Sequence, residues 1–135
     1  MTEAETLISA YYAAFDAGDR EGMLALLAED VVHDVNEGPR EVGKEAFRRF
    51  LGQMDRSYRE RLRNLAVMVD AGGTRGAAEF VVEGEYLATD PGLPPARGQR
   101  YALPAGAFFA VEGGRIARVT TYYNLQDWIR QVGGG

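Results

Sequence analysis

The sequence predicts an α+β fold: a curved, cone-shaped mixed or antiparallel sheet wrapped around an N-terminal helix. Three observations carry that expectation. Apolar residues recur at helical spacing early in the chain, as Leu7, Ile8, Tyr11, Ala14 and Phe15, and again as Phe47, Phe50, Leu51 and Met54. The later chain alternates with period two, most cleanly over residues 76–87. Two alternating runs meet at Glu112-Gly113-Gly114, a hairpin signal because a two-residue turn of the right twist needs positive φ.

The first helix is expected over residues 2–17, with Thr2 as cap and Glu5 as its reciprocal partner. Gly18 stops it, and Asp19 is placed to cap a second helix over residues 20–28. Residues 31–35, Val-Val-His-Asp-Val, form a short strand with Val31, His33 and Val35 on one face. Asn36-Glu37-Gly38-Pro39 breaks it. A third helix follows from Lys44 to about Arg56. The charged run 59–63 reads as a connector, and residues 65–69 as a strand.

In the strand at 76–87, Ala78, Phe80, Val82, Gly84 and Tyr86 face the core, and Glu79, Glu83 and Glu85 face water. Gly84 is expected to open space there. Residues 88–100 hold three prolines and exceed an ordinary hairpin loop. In the hairpin, one face is expected to carry Gly106, Phe108, Ala110, Val119, Thr121 and Tyr123. The other carries Ala107, Phe109, Val111, Thr120 and Tyr122. Residues 125–132 form a short helix with Asn124 as a possible cap, and residues 133–135 a frayed tail. The expectation is one domain over residues 1–132.

A chain of 135 residues can bury roughly two-thirds of its unfolded surface. A net charge of −5 argues against nucleic acid or an anionic membrane as partner. Lys44 is the single lysine among 15 basic residues. The absence of cysteine removes disulfides, thiolate metal sites and a Cys nucleophile. The acidic start lacks the features of a signal peptide, and no apolar run nears the ~20 residues of a membrane span. A cytoplasmic protein is expected. No phosphate loop, nucleophile elbow or dinucleotide fingerprint occurs, and no cofactor or metal is expected.

The run Ala10-Tyr11-Tyr12-Ala13-Ala14-Phe15-Asp16-Ala17-Gly18-Asp19 is followed by Leu24-Ala25-Leu26-Leu27-Ala28-Glu29-Asp30-Val31-Val32. With Gly43-Lys44-Glu45-Ala46-Phe47 and the terminal hairpin, the chain resembles the nuclear-transport-factor-2-like superfamily, in its ketosteroid-isomerase-like and SnoaL-like (polyketide-cyclase-like) branches. The resemblance spans nearly the whole chain. It implies a pocket for a small molecule, a fold that carries isomerases, cyclases, epoxide hydrolases, dehydratases and plain binders, and a homodimer. The isomerase pattern, carried over residue by residue, matches Tyr11 to the oxyanion-binding Tyr. Its base position falls on Val35 and its second donor position on Gly106, so two of three roles are vacant. A bulge in the first strand could turn Asp34 inward as a replacement.

His33, the only histidine, sits on the core face, where it could serve as general base or as a core histidine bonded to a neighbour. Burial would keep it neutral. Tyr11 could donate to a ligand carbonyl, with Tyr12 beside it, or both could be core aromatics. Thr121 and Tyr123 point inward at the end of the last strand, and Asn36 could reach a ligand from the rim or serve as an ordinary turn residue. Phe80, Val82, Tyr86 and Phe108 complete the expected ligand-binding set, with residues 88–100 as a lid. The catalytic pair expected is His33 as base and Tyr11 as donor.

Two function classes follow. The first is a SnoaL-like enzyme performing acid–base isomerisation, cyclisation or hydration on a hydrophobic carbonyl compound. The second is a non-catalytic ligand-binding or dimerisation module. Phe109, Val111 and Tyr122 on the other sheet face suggest a homodimer packed sheet to sheet.

Overall fold

The computed structural model describes residues 2–133. Helix α1 (Glu3–Ala17) is capped as the sequence predicts. The Thr2 hydroxyl accepts from the Glu5 N–H, and Gly18 adopts a left-handed conformation, φ 73°. Asp19 accepts from the Gly22 N–H and starts α2 (Arg20–Ala25). The chain then enters β1 (Leu27–Val35) earlier than expected, and a two-residue β2 (Glu41–Val42) precedes α3 (Lys44–Ser57). Four strands follow: β3 (Tyr58–Val69), β4 (Arg75–Tyr86), β5 (Gln99–Glu112) and β6 (Arg115–Tyr123). Asn124 caps α4 (Leu125–Gly133) by accepting from the Asp127 N–H. Gly133 therefore closes a helix, while the rest of the expected tail, residues 134–135, lies outside the described residues.

The strands form one six-stranded sheet in the order β2-β1-β6-β5-β4-β3. Only the β1–β6 pair is parallel. Helix α1 lies against β3, β4 and β6, and α3 touches both β1–β2 at one end of the sheet and β3 at the other. A single helix can reach both ends only if the sheet curls. The sheet is therefore an open, curved wrap around α1.

Two corrections to the expected elements come from strand register. First, β3 begins at Tyr58, so the charged run 59–63 is strand rather than connector. Its Arg59, Arg61 and Arg63 face solvent, while Tyr58, Glu60 and Leu62 turn inward. The charge content masked a period-two pattern. Second, the faces of the hairpin are swapped on β5. Glu112 pairs with Arg115 and Val111 with Ile116, but Ala110 pairs with Arg118. One extra residue, Ala117, therefore bulges from β6. A bulge of one residue moves every side chain of the partner strand to the other face relative to a regular hairpin. Phe109 pairs with Val119 and is fully buried, whereas Phe108 is 49% exposed on the outer face. Val111 is buried too, so of the three residues expected outside only Tyr122 is there.

The core has two parts. One gathers Ile8, Tyr11, Met23, Leu27, Val31, Phe47, Phe109, Ile116 and Val119 between α1, α3 and the sheet. The other joins Tyr86, Tyr101, Leu103, Trp128 and Val132 where α4 folds over β4 and β5. No helix among the described residues is long and apolar enough to cross a membrane.

Candidate functional site

Between the two parts of the core lies a cavity of about 260 Å³. Its walls are mostly rings and aliphatic chains. Tyr12 and Phe15 come from α1, Phe50 and Met54 from α3, Leu62 from β3, Phe80 and Val82 from β4, Leu103 and Ala105 from β5, and Trp128 from α4. Few polar groups belong to its lining residues: Glu60, Asp90, Thr121, the phenols of Tyr12, Tyr58, Tyr101 and Tyr123, and the Trp128 indole.

Of the cavity's two carboxylates, Glu60 is the one built into the sheet wall. It sits at the inward phase of β3, opposite Gly84 of β4. Gly84 in turn pairs with Tyr101 of β5, and a Cβ at Gly84 would fall 2.4 Å from the Tyr101 ring and hydroxyl. The void expected at Gly84 from the sequence is not left empty; the glycine makes room for the Tyr101 ring. That ring reaches across so that its hydroxyl donates to Glu60 Oε2 at 2.5 Å. Burial pushes the Glu60 carboxyl above the usual range, opposed by the Tyr101 hydrogen bond and by the charge of Arg20. Tyr101 itself is held edge-on to Trp128.

A second polar group pins the loop that follows β4. The Tyr58 hydroxyl donates to Asp90 Oδ2 at 2.8 Å, and Asp90 N–H donates to the Tyr86 hydroxyl at 2.9 Å. Tyr86 donates to the Pro94 carbonyl at 2.7 Å. Residues 87–98 thereby fold over one end of the cavity, with Leu93 in its wall.

The expected site residues divide. Tyr12, Phe80, Val82, Thr121 and Tyr123 line the cavity. Tyr86 stands behind the wall, fully buried and stacked on Tyr58, and acts through the loop it anchors. Phe108 is turned outward by the β6 bulge and is replaced inside by Ala105 and Ala107. Asn36 has φ 44° in the turn after β1, and its Oδ1 accepts from the Tyr123 N–H at 3.2 Å; it braces the last strand instead of reaching the cavity.

Tyr11 is packed edge-on against Tyr12, Phe47 and Phe109, outside the cavity lining. His33 faces inward as expected but is also outside the lining. Its ring stacks on Phe47 at 4.1 Å and meets the edge of Phe50 at 4.6 Å. Burial lowers its pKa to about 4, against the opposing pull of Asp34. Phe50, which lines the cavity and packs edge-on against Phe47, stands between His33 and that space.

The two vacant isomerase positions stay vacant. Val35 lines the cavity, and Gly106 faces outward, leaving Ala105 as the inward neighbour. Asp34 is not turned inward. It accepts from Arg40 at 2.8 Å and from the Thr120 hydroxyl at 2.7 Å on the outer face. The residues that sequence reasoning passed over are Glu60, Tyr101, Asp90 and Tyr58. The alternation of Tyr58, Glu60 and Leu62 against three arginines was the signal that could have found Glu60.

A family profile described as a SnoaL-like domain matches residues 8–119. No curated protein matches the chain. Among solved structures, a protein provisionally named a polyketide cyclase from Pseudomonas putida KT2440 is 60% identical, with a TM-score of 0.95 over 98% of each chain. A second protein of the same provisional name, from Xanthomonas campestris pv. campestris, is 58% identical, with a TM-score of 0.92 over 96% of each chain. An LEH-like epoxide hydrolase from M. tuberculosis is 18% identical, with a TM-score of 0.73 over 98% of this chain and 91% of that one, a likeness of fold alone.

Proposed function

Because the chain belongs to the SnoaL-like family, we propose that it is an acid–base enzyme for a small, hydrophobic, carbonyl-bearing molecule, with Glu60 as the proton-moving group. One observation carries this reading: of the two carboxylates that border the apolar cavity, Glu60 is held by the Tyr101 phenol and pushed by burial above the usual carboxylate range. A carboxyl whose pKa moves toward neutrality accepts a proton from carbon and returns it more readily than an ordinary one. The Tyr101 hydrogen bond aims one oxygen and leaves Oε1 for the substrate.

In this reading the aromatic walls bind the flat body of the substrate. Glu60 takes the proton next to the carbonyl as the C–H electron pair shifts toward the carbonyl oxygen. Tyr123, whose phenol burial and the charges of Glu60 and Asp90 keep protonated, donates a hydrogen bond to that oxygen. A cavity of about 260 Å³ suits one small molecule. The provisional names of the close relatives point to polyketide-like ring compounds as the first class to try. In this reading Tyr11 and His33, the catalytic pair expected from the sequence, serve the fold instead.

The experiment is a thermal-shift screen of small cyclic ketones and phenolic ketones. Binders are then followed in D₂O for deuterium uptake beside the carbonyl. Glu60→Gln is expected to slow uptake by about 10²–10⁴ while His33→Phe leaves it in place. Uptake abolished by His33→Phe and retained by Glu60→Gln would restore the histidine mechanism. Tight binding with no uptake by the unaltered protein would make it a binding module.

The pairing surface proposed for a homodimer is the outer sheet face at Phe108 and Tyr122, two exposed rings 6.1 Å apart, in place of the buried Phe109 and Val111. Sedimentation at micromolar concentration, repeated on Phe108→Ser, tests it: loss of the dimer supports the face, and a monomer from the start refutes it.

A further inference from the structure

Glu60 borders two spaces. Besides the large cavity, it lines a second one of about 50 Å³ on the side toward α2 and α3. Phe15, Phe50, Met54 and Tyr58 border both, so single side chains divide them. The smaller space differs in chemistry. Arg20 and Asp55 stand in its wall along with Met23 and Leu51. A space of about 50 Å³, a fifth of the large cavity, has room for a few waters. Polar partners for such waters are present at both ends: the Glu60 carboxylate at one, the Arg20–Asp55 pair at the other.

That pair sits where the space meets solvent. Arg20 donates to both Asp55 oxygens, through Nε at 3.0 and 3.1 Å and through Nη2 at 2.7 Å. Its Nη1 donates to the Phe15 carbonyl at 3.3 Å, and the guanidinium lies 5.1 Å from the Phe15 ring centre. The Asp55 side chain is 45% exposed and that of Arg20 25%. The pair thus closes the gap between the start of α2 and the last turns of α3.

We propose that the smaller cavity is a water chamber through which the Glu60 carboxylate exchanges protons with solvent, with the Arg20–Asp55 pair as its gate and Arg20 as a positioning residue for the charge on Glu60. The proposal rests on the reading of Glu60 as the proton-moving group. After a C–H proton has formed an O–H bond on Glu60, the acid passes that proton to a chamber water. The carboxylate is regenerated and hydronium leaves past the gate; the reverse step brings a solvent proton in. Protons would therefore exchange with solvent while ligand fills the large cavity. The cation of Arg20 acts in the direction this needs, countering the upward push of burial on Glu60.

The test reads Glu60 directly, on the unliganded protein. With ¹³C-labelled glutamate, the Glu60 carboxyl resonance is assigned by its loss in Glu60→Gln and titrated in the parent, Arg20→Gln and Arg20→Lys. Removing the cation is expected to raise the midpoint by about one pH unit, with Arg20→Lys close to the parent. A midpoint unmoved by Arg20→Gln overturns the positioning role, even if the variant melts lower. A crystal structure at high resolution is expected to show water in the chamber within hydrogen-bond reach of Glu60; a dry chamber overturns the path. Both readouts are independent of turnover, so they stand apart from the deuterium-uptake result that decides whether Glu60 is the catalytic acid–base.

Discussion

His33 and Glu60 are two titratable side chains surrounded by rings, and Phe50 lies beside both environments. They end up in different settings. His33 is enclosed by flat faces and edges of Phe47 and Phe50 in the filled part of the core, where burial keeps it neutral. Glu60 opens onto empty space and carries a hydrogen bond from Tyr101. The comparison teaches that apolar surroundings alone do not bring a titratable residue to a cavity. A neighbouring void and one fixed polar partner make it available. Sequence patterning points to the histidine among valines and passes over the glutamate among arginines, and it is the glutamate that lines the cavity.

The largest effect that can break the contrast concerns the filled part itself. Phe109→Ala should cost about 3–5 kcal/mol in urea unfolding, because Tyr11 and Tyr12 pack on that ring from two sides. Phe80→Ala, at the cavity wall, should cost distinctly less, since part of that ring already borders space. Phe108→Ala should stay within about 0.5 kcal/mol of the parent monomer. Equal losses at Phe108 and Phe109 would contradict the β6 bulge.

Next comes acid stability. A native His33 pKa near 4 against 6.5 when unfolded means the unfolded chain binds more protons between those values. Stability from this group is therefore complete above pH 6.5 and lost as pH falls to about 4, a change of about 3 kcal/mol. His33→Phe should flatten that part of the profile in denaturant titrations from pH 7 to 4.

A middle-sized effect is expected at Gly84. Gly84→Ala pushes against the Tyr101 ring and should cost about 1–3 kcal/mol. It should also move the Glu60 titration upward as the Tyr101 hydrogen bond lengthens, which carboxyl NMR detects. An unchanged Glu60 titration would show that the ring is not what holds the carboxylate.

The smallest effect is the mirror image of His33. Glu60 has a raised native pKa, so its contribution is present below the unfolded value and declines as pH rises through the folded one. Glu60→Gln should gain Tm relative to the parent at pH 7 to 8, and the gain should shrink by pH 4. A Glu60→Gln protein with a lower Tm at pH 8 would place Glu60 among structural ion pairs.

Much of the fold is legible residue by residue. Thr2, Gly18, Asp19 and Asn124 cap the helices that the sequence assigns to them. Val31 and His33 face inward, and Phe80, Val82, Thr121 and Tyr123 reach the cavity. Phe108 was misplaced because the Gly113-Gly114 turn predicts a regular ladder, and nothing local marks Ala117 as an extra residue. Glu60 was missed because the three arginines around it in the run 59–63 resemble a solvated loop. Its inward phase depends on pairing with Glu83, Gly84 and Glu85 across β4.

The sequence by itself determined where the helices begin, how they are capped, and which side chains share a face within one regular strand. These follow from dihedral preferences and periodicities that act over a few residues. The tertiary structure alone decided which face of β5 turns inward, that Gly84 admits Tyr101, and that a carboxylate instead of an imidazole borders the hollow. Those choices are made by register and curvature between strands far apart in the chain, where one bulged residue exchanges inside for outside.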